Sequence, residues 1–225
     1  MMAKKIGVLG VLLCAAFHAQ AAPVTLTGDN IIYEYDDGGG NTAALAALGQ
    51  PTLIGDTVRF LPQNFRAESG NGQGPVTENA TFVFDSVRAI NGAPIADVEV
   101  NEFGDYEIIE DGNVGVDLFL TATDNDNAAN FVFSDESFDA NGDSGGLQPW
   151  SISNVINPAS EFSGPVTDFA LSIQNTLTAN TSETGENAWV EKKLTFTTTV
   201  VPLPAAAWLL GSALVGLVLV ARRRQ

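Results

Sequence analysis

Hydrophobic and polar positions alternate with a period of two through most of the middle of the chain. In ATFVFDSV, Phe82 and Phe84 share one face; in NVGVDLFLTAT, Val114, Val116, Leu118, Leu120 and Ala122 share one, with Asp117 and Thr121 opposite. TDFALSIQNTL groups Phe169, Leu171, Ile173 and Leu177, and AWVEKKLTFTTTV groups Val190, Leu194, Phe196, Thr198 and Val200, with Lys192 the exception. Successive side chains of a strand point to opposite faces, so the pattern predicts strands with one buried and one wet face. DDGGGN, SGNGQG, EDGN and NGDSGG punctuate them with turn residues. About ten short strands at this spacing predict an all-β fold, an antiparallel β-sandwich of jelly-roll-like kind. One stretch reads as helix: NTAALAALG, Asn41 to Gly49, has a polar start, apolar spacing and a closing glycine. No repeat of fixed period and no long linker interrupt residues 22–200, which predicts one domain.

The two ends break the pattern. Lys4 and Lys5 precede the apolar run Ile6 to Phe17, and AQA then places Ala19 and Ala21 at the small-residue positions of a cleavage site. That layout predicts a signal peptide over residues 1–21, cut after Ala21, and export by the general secretory machinery. Leu13 stands where a lipoprotein signal needs a small residue before Cys14, so lipidation there is excluded. Cys14 is the only cysteine and His18 the only histidine, and both leave with the signal peptide. The exported chain then has no disulfide, thiol nucleophile or imidazole.

At the other end stands VPLPAAAWLLGSALVGLVLVARRRQ, residues 201–225. Residues 205–221 carry no charge, and as a helix they would span about 25 Å, the short limit for crossing a bilayer. Pro202 and Pro204 keep such a helix from extending upstream. Arg222, Arg223 and Arg224 would stay in the cytoplasm by the positive-inside rule. Helix length and charge are equally consistent with a retained anchor and with an address that is read and cut away.

The tail resembles the PEP-CTERM sorting signal of Gram-negative bacteria, in its VPLPA variant. The motif falls on Val201, Pro202, Leu203, Pro204 and Ala205, with the apolar helix over 205–221 and the basic end 222–225 behind it. Leu203 stands where the commonest form of the motif has glutamate. The resemblance implies an exosortase-like membrane enzyme as partner. It also implies an inner-membrane intermediate, then release or attachment at the cell surface, often where exopolysaccharide is made. EFGDYEII (102–109) and AWVEKKL (188–194) are similar to stretches of uncharacterised domains that accompany such tails, a likeness that implies no activity.

Charge narrows the function further. All 27 acidic residues lie between Asp29 and Glu191, where the basic residues are Arg59, Arg66, Arg88, Lys192 and Lys193, a balance of −22 against −17 for the whole chain. Such a surface repels nucleic acid and anionic lipid and favours divalent cations. The candidate metal ligands are Asp124 and Asp126 in TDNDN, and Asp139, Asn141 and Asp143 in the longer acidic run SDESFDANGD. Calcium takes six to eight oxygen ligands, which alternate residues of a tight loop can supply. Asp139, Asn141 and Asp143 open like a calcium loop, but Ser144 stands where the turn glycine belongs and Trp150 where the closing glutamate should be. Solvated acidic turns are the alternative, and no other cofactor is indicated.

GDSGG (142–146) reads like the segment around a serine-protease nucleophile, but Ser144 would need a base and the only histidine is His18. Paired carboxylates could hydrolyse a glycoside, though no spacing singles out a pair. Trp150, Trp189, Tyr33, Tyr35 and Tyr106 could form a sugar-stacking face or, alternatively, core. Of Lys192 and Lys193, one is expected on the wet face and the other snorkelling at a sheet edge. Together these features predict a non-catalytic exported protein of the cell surface or extracellular matrix, with a structural or glycan- or cation-binding role toward exopolysaccharide. A secreted carboxylate-based hydrolase or lyase and a permanently anchored periplasmic domain are the alternatives.

Overall fold

A computed structural model describes residues 23–200. Residues 1–22 and 201–225 lie outside the described residues, and with them Ala19, Ala21, the motif Val201 to Ala205 and Arg222 to Arg224. In chain order the elements are β1 (Pro23–Thr27), β2 (Ile31–Asp36), a 3-10 turn (Gly39–Asn41), α1 (Thr42–Leu48), β3 (Thr52–Ile54), β4 (Thr57–Phe60), β5 (Arg66–Gly70) and β6 (Val76–Ala89). Then follow β7 (Asp97–Ile109), β8 (Asn113–Asp124), β9 (Phe131–Asn141), β10 (Gln148–Ile156), α2 (Pro158–Glu161), β11 (Asp168–Asn180) and β12 (Asn187–Val200). None of the described helices is long and apolar enough to cross a membrane.

The strands form two antiparallel sheets, a β-sandwich. One runs β1-β2-β6-β11-β8-β9; the other runs β10-β7-β12-β4-β3, with β5 also on β12. Three pairs are nested within one another along the chain. β6 pairs with β11, β7 with β10 and β8 with β9, alternating between the sheets. The predicted inward faces are the core. Phe82, Phe84, Val114, Val116, Leu118, Leu120, Ala122, Phe169, Leu171, Ile173 and Leu177 are all buried. Tyr33, Tyr35, Phe60, Phe82 and Phe84 make a continuous ring cluster with centroids 4.9–6.4 Å apart. Such tilted and edge-on contacts add to the stability from area burial alone. The predicted helix is α1, which buries Ala44 and Leu48 and ends at Gly49, φ 82°, whose N–H returns to Leu45 O at 3.0 Å.

β12 departs from the expected alternation. Its pairing with β7 shifts register between Lys192 and Leu194, so one extra residue enters the strand. Ala188, Val190 and Lys192 point inward; beyond the shift Thr195 and Thr197 do, and Leu194 is half-buried instead of core. The side chains of Phe196, Thr198 and Val200 lie outside the described residues. The irregularity falls where β12 passes from β5 to β4, and there Lys192 N–H donates to Phe65 O at 3.0 Å. This overturns the expectation for the lysines. Lys192 is neither wet nor snorkelling: its side chain is 0% exposed and ion-paired with the equally buried Glu102. Lys193 takes the surface position and pairs with Asp105 and, at 3.2 Å, with Glu191.

Candidate functional site

The outward face of the β6-β11-β8-β9 strands is laid out in rows fixed by register. Val83, Ser172, Thr121 and Phe133 form one row; Thr81, Gln174, Phe119 and Asp135 the next; Asn79, Thr176, Asp117 and Ser137 a third. On the other side of the first row, Ala170, Thr123 and Phe131 continue the pattern. Three strand spacings make a row about 14 Å wide.

Phenylalanine is the anomaly on this wet face. Phe131 is 61% and Phe133 53% exposed, and Phe133 stacks on Phe119 with ring centroids 6.1 Å apart and planes 21° from parallel. Their strand, β9, is a sheet edge. Its inward positions are Val132, Ser134, Glu136, Phe138 and Ala140, and of these only Val132 is buried. The aromatic pair therefore faces water while Val132, Phe138 and Ala140 on the opposite parity turn toward the core. The face next to it is acidic. Burial first, and then the charges of Asp139 and Asp135, push the Asp117 carboxyl above the usual aspartate range. Across the same face, where β6 meets the start of α1, lies a hollow of about 400 Å³ lined by Asp36, Gly40, Asn41, Thr81, Val83 and Asp85. A smaller one, about 230 Å³, lies among Asp111, Asn113, Asn141, Asn180 and Ser182 at the strand ends.

The candidate ligands of a cation are not brought together. Asp124 and Asp126 close one end of the β8–β9 hairpin, where Thr123 pairs with Phe131, and Asn141 and Asp143 stand at the other, where Asn113 pairs with Asn141. The ends are about 30 Å apart at the usual rise per residue. Asp124 instead braces its own turn, accepting from Asn130 Nδ2 at 3.0 Å and Asp126 N–H at 2.9 Å, and these bonds hold its carboxyl below the ordinary range. Asp143 accepts from Gly145 N–H at 2.9 Å. Asp139 lies on β9 opposite Gly115, beside Asp117. Among the described residues no three acidic, histidine or cysteine side chains converge as a metal site.

Ser144 is a latch. Its Oγ accepts from Ile108 N–H at 2.9 Å and donates toward Gly146 O at 2.7 Å, tying the glycine-rich turn to the end of β7. Among the expected stacking aromatics, Tyr33, Tyr35 and Trp150 are core. Tyr106 is half-buried against Phe138 at 5.4 Å, and Trp189 carries the Arg66 guanidinium 4.0 Å over its ring. The exposed phenylalanines were not among those candidates. FVFSDESFDAN carries only a partial signal: Phe131 and Phe133 share the parity of Asp135, Ser137 and Asp139, but Ser134 and Glu136 stand on the other parity with Val132, Phe138 and Ala140.

No family model matches the chain, and no curated protein matches it. One solved structure, described as TmCBM61 in complex with beta-1,4-galactotriose, is similar at 10% sequence identity over 62% of this chain and 68% of that one, with a TM-score of 0.26. That likeness is too slight to carry residue correspondences.

Proposed function

We propose that this is an exported, non-catalytic glycan-binding protein of the cell surface or exopolysaccharide matrix. Its fold is a jelly-roll-like sandwich in which the outward β6-β11-β8-β9 face takes the polysaccharide. The exposed Phe131 and Phe133, with Phe119 of the neighbouring strand stacked on Phe133, carry this reading. Exposed aromatic clusters on a flat, otherwise polar face mark binding surfaces. The C–H faces of sugar rings stack on such rings, and sugar hydroxyls need the acceptors and donors that Asp117, Thr121, Asp135 and Gln174 supply in the adjoining rows. Residues 1–21 support export, and residues 201–225 support sorting by an exosortase-like enzyme. The −22 balance supports bridging of matrix polymers through calcium or other divalent cations.

The test is binding of the full chain to its host's exopolysaccharide, with and without calcium, beside Phe131→Ala/Phe133→Ala. Loss of about 1–2 kcal/mol per stacking ring weakens binding roughly tenfold or more. Equal binding by the double variant overturns the assignment of this face. The raised Asp117 carboxyl beside Asp135 and Asp139 is the one observation favouring a hydrolase. Release of new reducing ends from the polysaccharide, abolished by Asp117→Asn, would establish that reading instead.

A further inference from the structure

Between the sheets, three strands bring an amine, an amide and a carboxyl group into contact. Lys192 comes from β12, Glu102 from its neighbour β7, and Asn175 from β11 of the facing sheet. Both charged side chains and Asn175 are 0% exposed. Lys192 Nζ lies 2.5 Å from Glu102 Oε2 and donates to Asn175 Oδ1. Glu102 Oε1 accepts from Thr195 Oγ1 at 3.5 Å, while Asn175 Nδ2 has no hydrogen-bond partner. Apolar groups wall the cluster. Nζ lies 5.8 Å from the Phe65 ring centroid, and the buried Trp150 indole occupies the space over Gly104, the residue paired with Lys192.

A buried ion pair is a poor way to stabilise a core, because desolvation offsets the attraction. The positions flanking Asn175 and Lys192 on their own strands, Ile173, Leu177 and Val190, are apolar and fully buried. Stability alone would be served by more of the same. The contact of these three groups is instead the arrangement of a reaction centre.

We propose that Lys192 and Asn175 are joined by an intramolecular isopeptide bond, which the folded chain forms itself with Glu102 as proton shuttle. Lys192 first passes a proton to Glu102, leaving a neutral amine beside a carboxylic acid. Nζ attacks Asn175 Cγ, and the Glu102 proton goes to the amide oxygen. The tetrahedral centre collapses as the Nζ–Cγ bond stays and the Cγ–Nδ2 bond breaks. The second proton of Nζ passes through Glu102 to Nδ2, which leaves as ammonia, and the hydroxyl proton of the tetrahedral centre returns to Glu102 as the carbonyl re-forms. One secondary amide and one ammonia replace one amine and one primary amide, so nothing is oxidised or reduced. The surroundings favour the first step. Burial pushes Glu102 up and Lys192 down, each toward the neutral form, against the opposing pull of their mutual charge. The product ties the middle of one sheet to the last strand of the other, the strand that runs directly to residue 201.

Peptide mapping of the full chain isolated from its host decides this whatever happens to either terminus. Glu161, Glu183, Glu186 and Glu191 flank the two partners, so joint digestion at glutamate and lysine separates residues 162–183 from Lys192–Lys193. The expected product is residues 162–183 carrying the Lys192–Lys193 dipeptide as a branch, lighter by one ammonia than its two parts. Separate peptides of unmodified mass overturn the proposal, and so does ammonia loss confined to a linear peptide. Asn175→Asp is expected to give the same branch by loss of water. Glu102→Gln, with its sheet content checked by circular dichroism, is expected to take the linked fraction from nearly all to nearly none. Full linkage in that variant overturns the role given to Glu102.

Discussion

At the scale of single residues, the clearest non-covalent clasp between the sheets is Asp56, in the turn between β3 and β4. Its carboxylate accepts from Asn30 N–H and Asn30 Nδ2, both at 2.7 Å, and from Ile31 N–H at 3.3 Å, at the turn between β1 and β2 of the other sheet. Tyr33 adds a bond from its hydroxyl to Asp56 O at 2.9 Å. Burial pushes this carboxyl up, but the hydrogen bonds from Asn30, Ile31 and Asp29 outweigh it and hold it below the usual range. A carboxyl depressed in the folded state contributes stability that is complete above the unfolded value near 4 and is lost as pH falls through the lowered folded value. Asp56→Asn is therefore expected to cost about 1–3 kcal/mol at neutral pH. It should also flatten the fall in stability below pH about 4. Urea unfolding of both proteins across pH checks this, and parallel pH curves would show that Asp56 is not the group responsible.

At the scale of elements, β8 and β11 were legible because each keeps strict alternation along its buried face. β6 keeps it through Phe82 and Phe84 before its register with β11 shifts and Val87 takes the inward side. β12 was not, because a bulge moves the phase by one and no residue type in VEKKLTF announces it. The consequence was largest for the chemistry: two adjacent lysines on an acidic chain read as surface, yet the extra residue turns Lys192 into the core beside Glu102. Glu102 in turn shares the parity of the buried Val98 and Val100, but a carboxylate there reads as an exception until its partner Lys192 is placed. β9 was ambiguous for a different reason. Apolar residues fall on both parities, so its sequence alone does not say whether Phe133 or Val132 faces the core. The structure separates them, and the difference is measurable. Phe82, fully buried in the ring cluster, should cost about 3–5 kcal/mol when truncated to alanine. Phe133→Ser should stay within about 0.5 kcal/mol, as surface changes do. Chemical denaturation distinguishes the two. A large loss at Phe133 would mean that its ring serves the fold, and the binding face would lose its main support.

At the scale of the whole molecule, the last strand is where fold and destination meet. β12 lies between β7 on one side and β5 and β4 on the other, and it ends at Val200. The motif proposed to be read at the membrane begins at the next residue, Val201. A sorted protein held at its C-terminus would transmit any pull on its matrix through this strand, into the sheet that Lys192 joins to Asn175. The sorting proposal predicts that protein isolated from its host ends near Val201 to Ala205, with any mass the attachment adds. Mass spectrometry of the C-terminal peptide reads this directly. Such a terminus places the Phe131–Phe133 face outside the cell, where exopolysaccharide is the polymer to test. A terminus at Gln225 means that the apolar segment was kept as an anchor. The sorting proposal is then wrong, and the same face looks into the periplasm, where its ligand would have to be sought among the glycans of the envelope.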